Sequence, residues 1–405
     1  MARVLRTSHV AALPAGAALH ERSLPLTYLD AVCLHRPLVE GVFFYPDATS
    51  DVLSNLTDSL SNALAAFYPL SGRLRLTPGT HNRYELHYQP GDSVTFTVAE
   101  YDNHHVGFEE HATDDLTEVA KIVPLVLPIP EGGAVLAVKA TVLRGGLATG
   151  VTVHHAACDG VSSTHFQRTW VWSAAACSGA GAPEPPFVDR SIICPRDTCT
   201  TLSWRPGCPV MTMTVGNPPI RPLSSSSSPR SRCPWSTCRA SKKRSPARRN
   251  ALACCRLAPH QSSRRSASSG NCYIRAKPGT DGKVASSCGG RAYFVLPADH
   301  RTRLEPPVPD EYLGNCLGPC IASAPRMDVA AAGVDGSPRF RVYDTDFGFG
   351  RPAKVDVVSV ARTSAMAVAK ARSGSDGVEV GISLSAGAME HFNDCFADAI
   401  ACLLS

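Results

Sequence analysis

The sequence predicts an α/β protein in which two ordered regions, residues 1–190 and 291–405, flank a stretch of different character, residues 191–290. Three observations predict it. Val94, Phe96 and Val98 alternate at the period of a half-buried strand. Leu53, Leu56, Leu60 and Leu64 recur at helical spacing and would face a core. Between Asp197 and Asp281 there is no acidic residue, and arginine, serine, proline and cysteine dominate.

In chain order, Val39 to Tyr45 reads as a strand. Thr49 or Ser50 can cap the leucine-rich helix, with Asp51 in its first turn, and Tyr68-Pro69 ends it. Arg83 to Tyr88 and Ser93 to Ala99 read as strands. Ala134 to Leu143 and Leu147 to Val153 form a hairpin around Arg144-Gly145-Gly146. Gly160 to Ala176 is helical, with Phe166, Trp170 and Trp172 supplying bulk. Order returns at Arg291. Ala292 to Leu296, Ser337 to Tyr343 and Val355 to Val360 read as strands, and Ala367 to Ala371 and Val378 to Leu384 bracket Ser373 to Gly377 as a hairpin. Ala386 to Leu403 closes the chain as an amphipathic helix, with Met389, Phe392, Phe396 and Ile400 on one face.

The 405 residues leave room for more than one core, and an apolar fraction of 44% is ordinary for a soluble globular chain. No apolar run is long enough to cross a bilayer, and the two arginines near the N-terminus precede no apolar core, so a cytoplasmic location is expected. Seven of the sixteen cysteines lie between Cys199 and Cys272, without a paired C-x2-C framework; neither zinc nor a disulfide scaffold is favoured. Cys316 and Cys320 read as buried thiols rather than a metal pair. The net charge of +5 gathers in segments such as Lys242-Lys243-Arg244 and Arg248-Arg249. A basic tether for nucleic acid is one reading of residues 191–290, but no aromatic residues interleave as on a single-strand binding surface. The preferred reading is aberrant, low-complexity text of the kind a GC-rich gene gives in the wrong frame. Such a stretch buries too little apolar surface to offset its chain entropy, so disorder is expected there.

The chemistry centres on Val151 to Gly160. A β-branched strand runs into His154 and His155, and Asp159 and Gly160 follow. Imidazole can accept a proton from a hydroxyl near neutral pH, which makes His155 a candidate general base at a strand end. Asp159, four residues on, can hold the local geometry or pair with an arginine elsewhere. Spacing alone does not separate this from a hydrogen-bonded structural histidine. In Asp346-Phe347-Gly348-Phe349-Gly350, two glycines alternate with two aromatics, which reads as a sharply bent backbone pinned by ring burial.

Together these stretches resemble the plant BAHD acyltransferases. His155-Ala156-Ala157-Cys158-Asp159-Gly160 resembles that family's His-x-x-x-Asp-Gly motif, and Asp346 to Gly350 resembles its Asp-Phe-Gly-Trp-Gly motif with phenylalanine for tryptophan. Tyr312-Leu313-Gly314-Asn315-Cys316 is similar to the Tyr-Phe-Gly-Asn-Cys signature of the anthocyanin and flavonoid glycoside branch, with leucine for phenylalanine. Leu24-Pro25-Leu26-Thr27 and Tyr68 to Leu74 also fit that branch. The resemblance spans residues 1–189 and 291 to the end. It implies two similar-sized chloramphenicol-acetyltransferase-like domains with mixed sheets and a channel between them, the second truncated and residues 191–290 standing where a crossover belongs. It also implies that a malonyl or hydroxycinnamoyl group moves from an acyl-CoA co-substrate to a hydroxyl of a phenolic glycoside. His155 would be the base, and Asp159 would support it structurally by pairing with Arg301 or Arg303. Phe347, Gly348, Phe349 and Gly350 would be structural, and His154 would serve in packing or hydrogen bonding. A monomer is implied, with no bound cofactor or metal and neither nucleic-acid nor membrane partner. Condensation domains of peptide synthetases share the His-x-x-x-Asp pattern but fit less well. The abnormal segment and a shortened stretch after Cys320 keep a second reading open, a catalytically impaired relative or pseudogene product.

Overall fold

The computed structural model describes residues 2–13, 19–101, 107–112, 115–116, 121–175, 181–193, 251–257, 272–273, 276, 291–325, 331–363, 365–372 and 378–404. Two mixed sheets dominate it. The first has six strands in the order Ala2–Ala11, Ser93–Tyr101, Leu136–Leu143, Gly146–Val153, Val39–Pro46 and Lys354–Val357. All neighbours are antiparallel except Ser93–Tyr101 with Leu136–Leu143. Every residue of Gly146–Val153 is buried, as in a strand covered on both faces, and it delivers the His154-His155 pair. Gly145, at φ 86°, closes the hairpin that sets its register.

One face of this sheet is covered by the helices Leu53–Ala66 and Gly160–Ala174. Leu53, Leu56, Leu60 and Leu64 are all buried, as their spacing predicts. Trp170 ties the two helices together, its indole N–H reaching the Leu56 carbonyl and the Ser59 hydroxyl at 3.1 Å each. Thr49 caps a 3-10 turn, Ser50–Val52, that precedes the first of these helices, and its hydroxyl turns to Asp51 instead of the backbone.

The second sheet has seven strands in the order Leu317–Pro325, Arg291–Asp299, Ala331–Asp335, Met366–Lys370, Val378–Leu384, Ala251–Leu257 and Asp115–Leu116. The 366–384 hairpin is antiparallel as predicted; its connection at 373–377 lies outside the described residues. The closing helix Ala386–Leu404 packs on this sheet through Met389 and Phe392, with Phe396 at the margin.

Three expectations are corrected. Ala251–Leu257 is a strand inside the stretch predicted to hold none, because the open edge of Val378–Leu384 supplies seven antiparallel partners that no local period announces. Ser337 to Tyr343 is not a strand: the Ser337 hydroxyl accepts from the Arg339 N–H, Pro338 starts one 3-10 turn, and Arg341 at φ 48° starts another. The strand predicted to reach Val360 stops at Val357, and Val360–Thr363 is a helical turn. The remaining expectation for residues 194–290 lies mostly outside the described residues. The sheets also cross the sequence divisions at 190 and 290. Lys354–Val357 completes the first sheet at an edge of Val39–Pro46, and Asp115–Leu116 completes the second.

Candidate active site

His155 sits in the tight connection between the Gly146–Val153 strand and the Gly160–Ala174 helix. The Ala157 N–H bonds the His154 carbonyl at 2.9 Å, and Asp159 N-caps the helix by accepting from the Ser162 N–H at 2.9 Å. The side chains of His154 and His155 part here. His154 accepts from the Ala156 N–H at its Nδ1, 3.2 Å away, and burial, then the neighbouring His155 and His35, lower its pKa. His155 is half-buried, and its Nδ1 is buried without a hydrogen-bond partner among the described residues.

The connection is clamped from the second region of the chain. Asp159 forms a two-pronged ion pair with Arg301, Oδ2 to Nη1 at 3.0 Å and Oδ1 to Nη2 at 3.1 Å, with both side chains buried. Its Oδ2 also accepts from the Cys316 N–H at 2.9 Å. Burial alone would weaken the Arg301 charge; the Asp159 carboxylate, with smaller contributions from Asp299 and Cys316, offsets it and leaves the pKa above its usual value. Arg303 turns instead to the Asp299 carbonyl, so Arg301 is the partner of the two. A buried pair this close resists loss of either member, because the other would be left charged and unpaired.

A second clamp was not foreseen. Asp30 accepts from Arg190 Nη1 at 3.1 Å, from the Asn315 N–H at 2.8 Å and from Asn315 Nδ2 at 3.0 Å. Asn315 Nδ2 also donates to the His155 carbonyl at 2.9 Å, and Arg190 Nη2 to the Ala157 carbonyl at 2.7 Å. The carbonyls on either side of Ala156 are thus held by two residues anchored on one carboxylate. Thr27 and Asp30 form a capping box, a pattern readable in the sequence; nothing local marks Arg190.

Cysteine chemistry does not suit this site. Burial pushes the Cys33 and Cys316 thiols up to about 12 and raises Cys158 further, so the thiolate is strongly disfavoured in each. One more titratable group is perturbed: burial raises the pKa of the Asp335 carboxyl, whose Oδ2 accepts from the Thr363 hydroxyl.

The Asp346 to Gly350 loop lies elsewhere and is closed on itself. Asp346 Oδ1 accepts from the Gly348 and Gly350 N–H groups at 2.9 Å each, and both glycines have positive φ, 94° and 107°. Phe347 packs edge-on against Trp170 at 4.8 Å and Phe349 against Tyr45 at 5.2 Å. The loop therefore pins the second region of the chain to the first sheet's core.

The Transferase family model matches residues 6–213 and 319–399, and the chain belongs to that family, the BAHD acyltransferases. Residues 214–318, with the Tyr312 to Cys316 signature, fall outside the match.

Among curated relatives, a malonyl-coenzyme:anthocyanin 5-O-glucoside-6'''-O-malonyltransferase of Salvia splendens is 25% identical over 98% of this chain and 95% of its own length. Phenolic glucoside malonyltransferase 1 of Arabidopsis thaliana is 27% identical over 93% of this chain and 92% of its own. A coumaroyl-CoA:anthocyanidin 3-O-glucoside-6''-O-coumaroyltransferase of Arabidopsis thaliana is 26% identical over 98% and 97%. The fold is shared with vinorine synthase (TM-score 0.63, 16% identity, 96% of each chain) and with F. sporotrichioides TRI101 complexed with coenzyme A and T-2 (0.58, 14%, 92% of this chain and 97% of that one). No helix among the described residues is long and apolar enough to cross a membrane.

Proposed function

We propose that this acyltransferase moves a malonyl or hydroxycinnamoyl-type group from coenzyme A to a hydroxyl of a phenolic or flavonoid glycoside, with His155 as general base. The observation that carries this reading is the connection bearing His155: two buried clamps fix its backbone while His155 itself stays only partly buried. A base must be held still and remain reachable, and this arrangement meets both requirements. With Nδ1 buried, Nε2 is the atom that meets the acceptor hydroxyl.

His155 takes the hydroxyl proton as the oxygen bonds to the thioester carbonyl carbon. The tetrahedral intermediate then breaks its C–S bond, and His155 returns the proton to the departing thiolate. Asp159 acts only on geometry, since its carboxylate is wholly engaged by Arg301, the Ser162 N–H and the Cys316 N–H. The named substrates of the curated relatives support both donor types and glucoside acceptors. In this reading the chain works in the cytoplasm as a monomer, without a resident cofactor.

The test is thiol release by the purified chain and by His155→Ala, with malonyl-CoA and p-coumaroyl-CoA over a panel of flavonoid glucosides. Turnover that falls roughly 10²–10⁴-fold in the variant, at unchanged melting temperature, is the expected result. The composition of residues 198–280, free of acidic groups, favours the second reading, an impaired relative. A folded wild-type chain with no turnover on any pair would establish it in place of the first.

A further inference from the structure

The closing helix Ala386–Leu404 carries a sulfur–imidazole pair that the transfer site does not use. Cys395 Sγ lies 3.7 Å from Nε2 of His391, four residues earlier on the same helix face. His391 is exposed and Cys395 partly so. A second sulfur meets the first: Cys272, only 2% exposed, donates its thiol to the Cys395 carbonyl at 3.4 Å. Cys272, Tyr273 and Ala276 share a core cluster with Met389 and Phe392 of the helix, and Cys395 packs against that cluster. Both sulfurs are thiols here, 123 positions apart in the chain. Cys33, Cys158 and Cys316 are different: each is buried, and burial raises its pKa, so none is a ready thiolate. Among the cysteines whose side chains are described, only Cys395 is not buried.

We propose that Cys395 and Cys272 form a redox-modification site: hydrogen peroxide oxidises Cys395, and Cys272 converts the product to an intramolecular disulfide. His391 takes the Cys395 thiol proton, and the thiolate attacks one peroxide oxygen. The S–O bond forms, the O–O bond breaks, and the departing hydroxide recovers the proton from His391 and leaves as water. Cys395 is then a sulfenic acid. Its side chain turns from His391 towards Cys272, whose sulfur attacks it. The S–S bond forms, the S–O bond breaks, and hydroxide leaves as water with the Cys272 proton. The two thiols give two electrons to the peroxide, and no other reactant is needed. The bond replaces a weak S–H to carbonyl contact by a covalent tie between Cys272 and the closing helix. Acyl transfer plays no part in it.

The experiment treats the full chain, reduced and then freed of reductant, with a slight excess of hydrogen peroxide, blocks remaining thiols by alkylation and maps the peptides by mass spectrometry. A peptide linked through Cys272 and Cys395 should appear and be lost on treatment with dithiothreitol. The oxidised chain should melt about 5 °C higher, because the bond closes a long loop. Cys272→Ser should stop at a sulfenic acid on Cys395 that dimedone traps, and Cys395→Ser should give neither product. His391→Ala should slow oxidation of Cys395 roughly three- to tenfold at neutral pH. Cys272 and Cys395 recovered unlinked after other thiols have consumed the peroxide, or either one linked to a different cysteine, overturns the proposal. Oxidation of Cys395 at the wild-type rate in His391→Ala overturns the part given to the histidine. The wild-type map decides the pairing by itself, so a variant that fails to fold does not blunt the test.

Discussion

The connection at His155–Gly160 and the loop at Asp346–Gly350 are equally conspicuous as strings of residues, yet they are built in opposite ways. The Asp346 loop satisfies itself: one carboxylate oxygen takes two backbone N–H groups two and four residues on, and its phenylalanines fill a core made by Tyr45 and Trp170. The His155 connection satisfies locally the Ala156 and Ala157 N–H groups, both on His154, and the Asp159 cap. Its carbonyls and its carboxylate are held by Arg190, Asn315 and Arg301, residues far along the chain. A loop that closes on itself can only stabilise. A connection held from outside can leave one side chain free, and His155 is the one left partly exposed.

Substitutions can break this contrast. The largest effect should be on activity alone, in His155→Ala, which leaves both clamps intact because they grip the backbone and Asp159. Arg301→Ala should come next, with a loss of about 3–5 kcal/mol in denaturant unfolding, since it leaves Asp159 buried and unpaired. Turnover per folded molecule should also fall, because the connection loses its main anchor. A stability equal to wild type would show that the pair contributes little.

Asp346→Ala sharpens the comparison from the other side. It should cost about 1–2 kcal/mol by freeing two backbone N–H groups, with kcat unchanged in the fraction that stays folded. A kcat that falls by more than the folded fraction would mean that the loop reaches the chemistry.

The smallest effect concerns Asp335. Its raised pKa means that the folded chain binds this proton more tightly than the unfolded chain does. Its contribution to stability therefore falls as pH rises from the unfolded value through the raised folded value, and above that interval the ionised carboxyl is a net cost. Asp335→Asn should melt higher than wild type at pH 7, on the order of 1–2 °C, and the gap should close in acid below the unfolded value. A lower melting temperature at pH 7 would show that the carboxylate stabilises the fold.

Much of this was legible in the sequence, for a physical reason. The buried leucine stripe of residues 53–64, the 136–153 hairpin and the bent Asp346 loop are fixed by residues close to one another in the chain, so the sequence pattern reports them. The two motifs also made the family readable, and with it Arg301 as one of two candidate partners for Asp159.

Tertiary structure decided the rest, because those interactions join residues that no local pattern relates. Asp30 meets Asn315 across 285 positions and Arg190 across 160. Ala251–Leu257 is a strand because an edge is available to it, and Ser337 to Tyr343 is not one because its backbone turns at Arg341. Local chemistry determined which residue could act as the base. Contacts from residues far along the chain decided what holds that base.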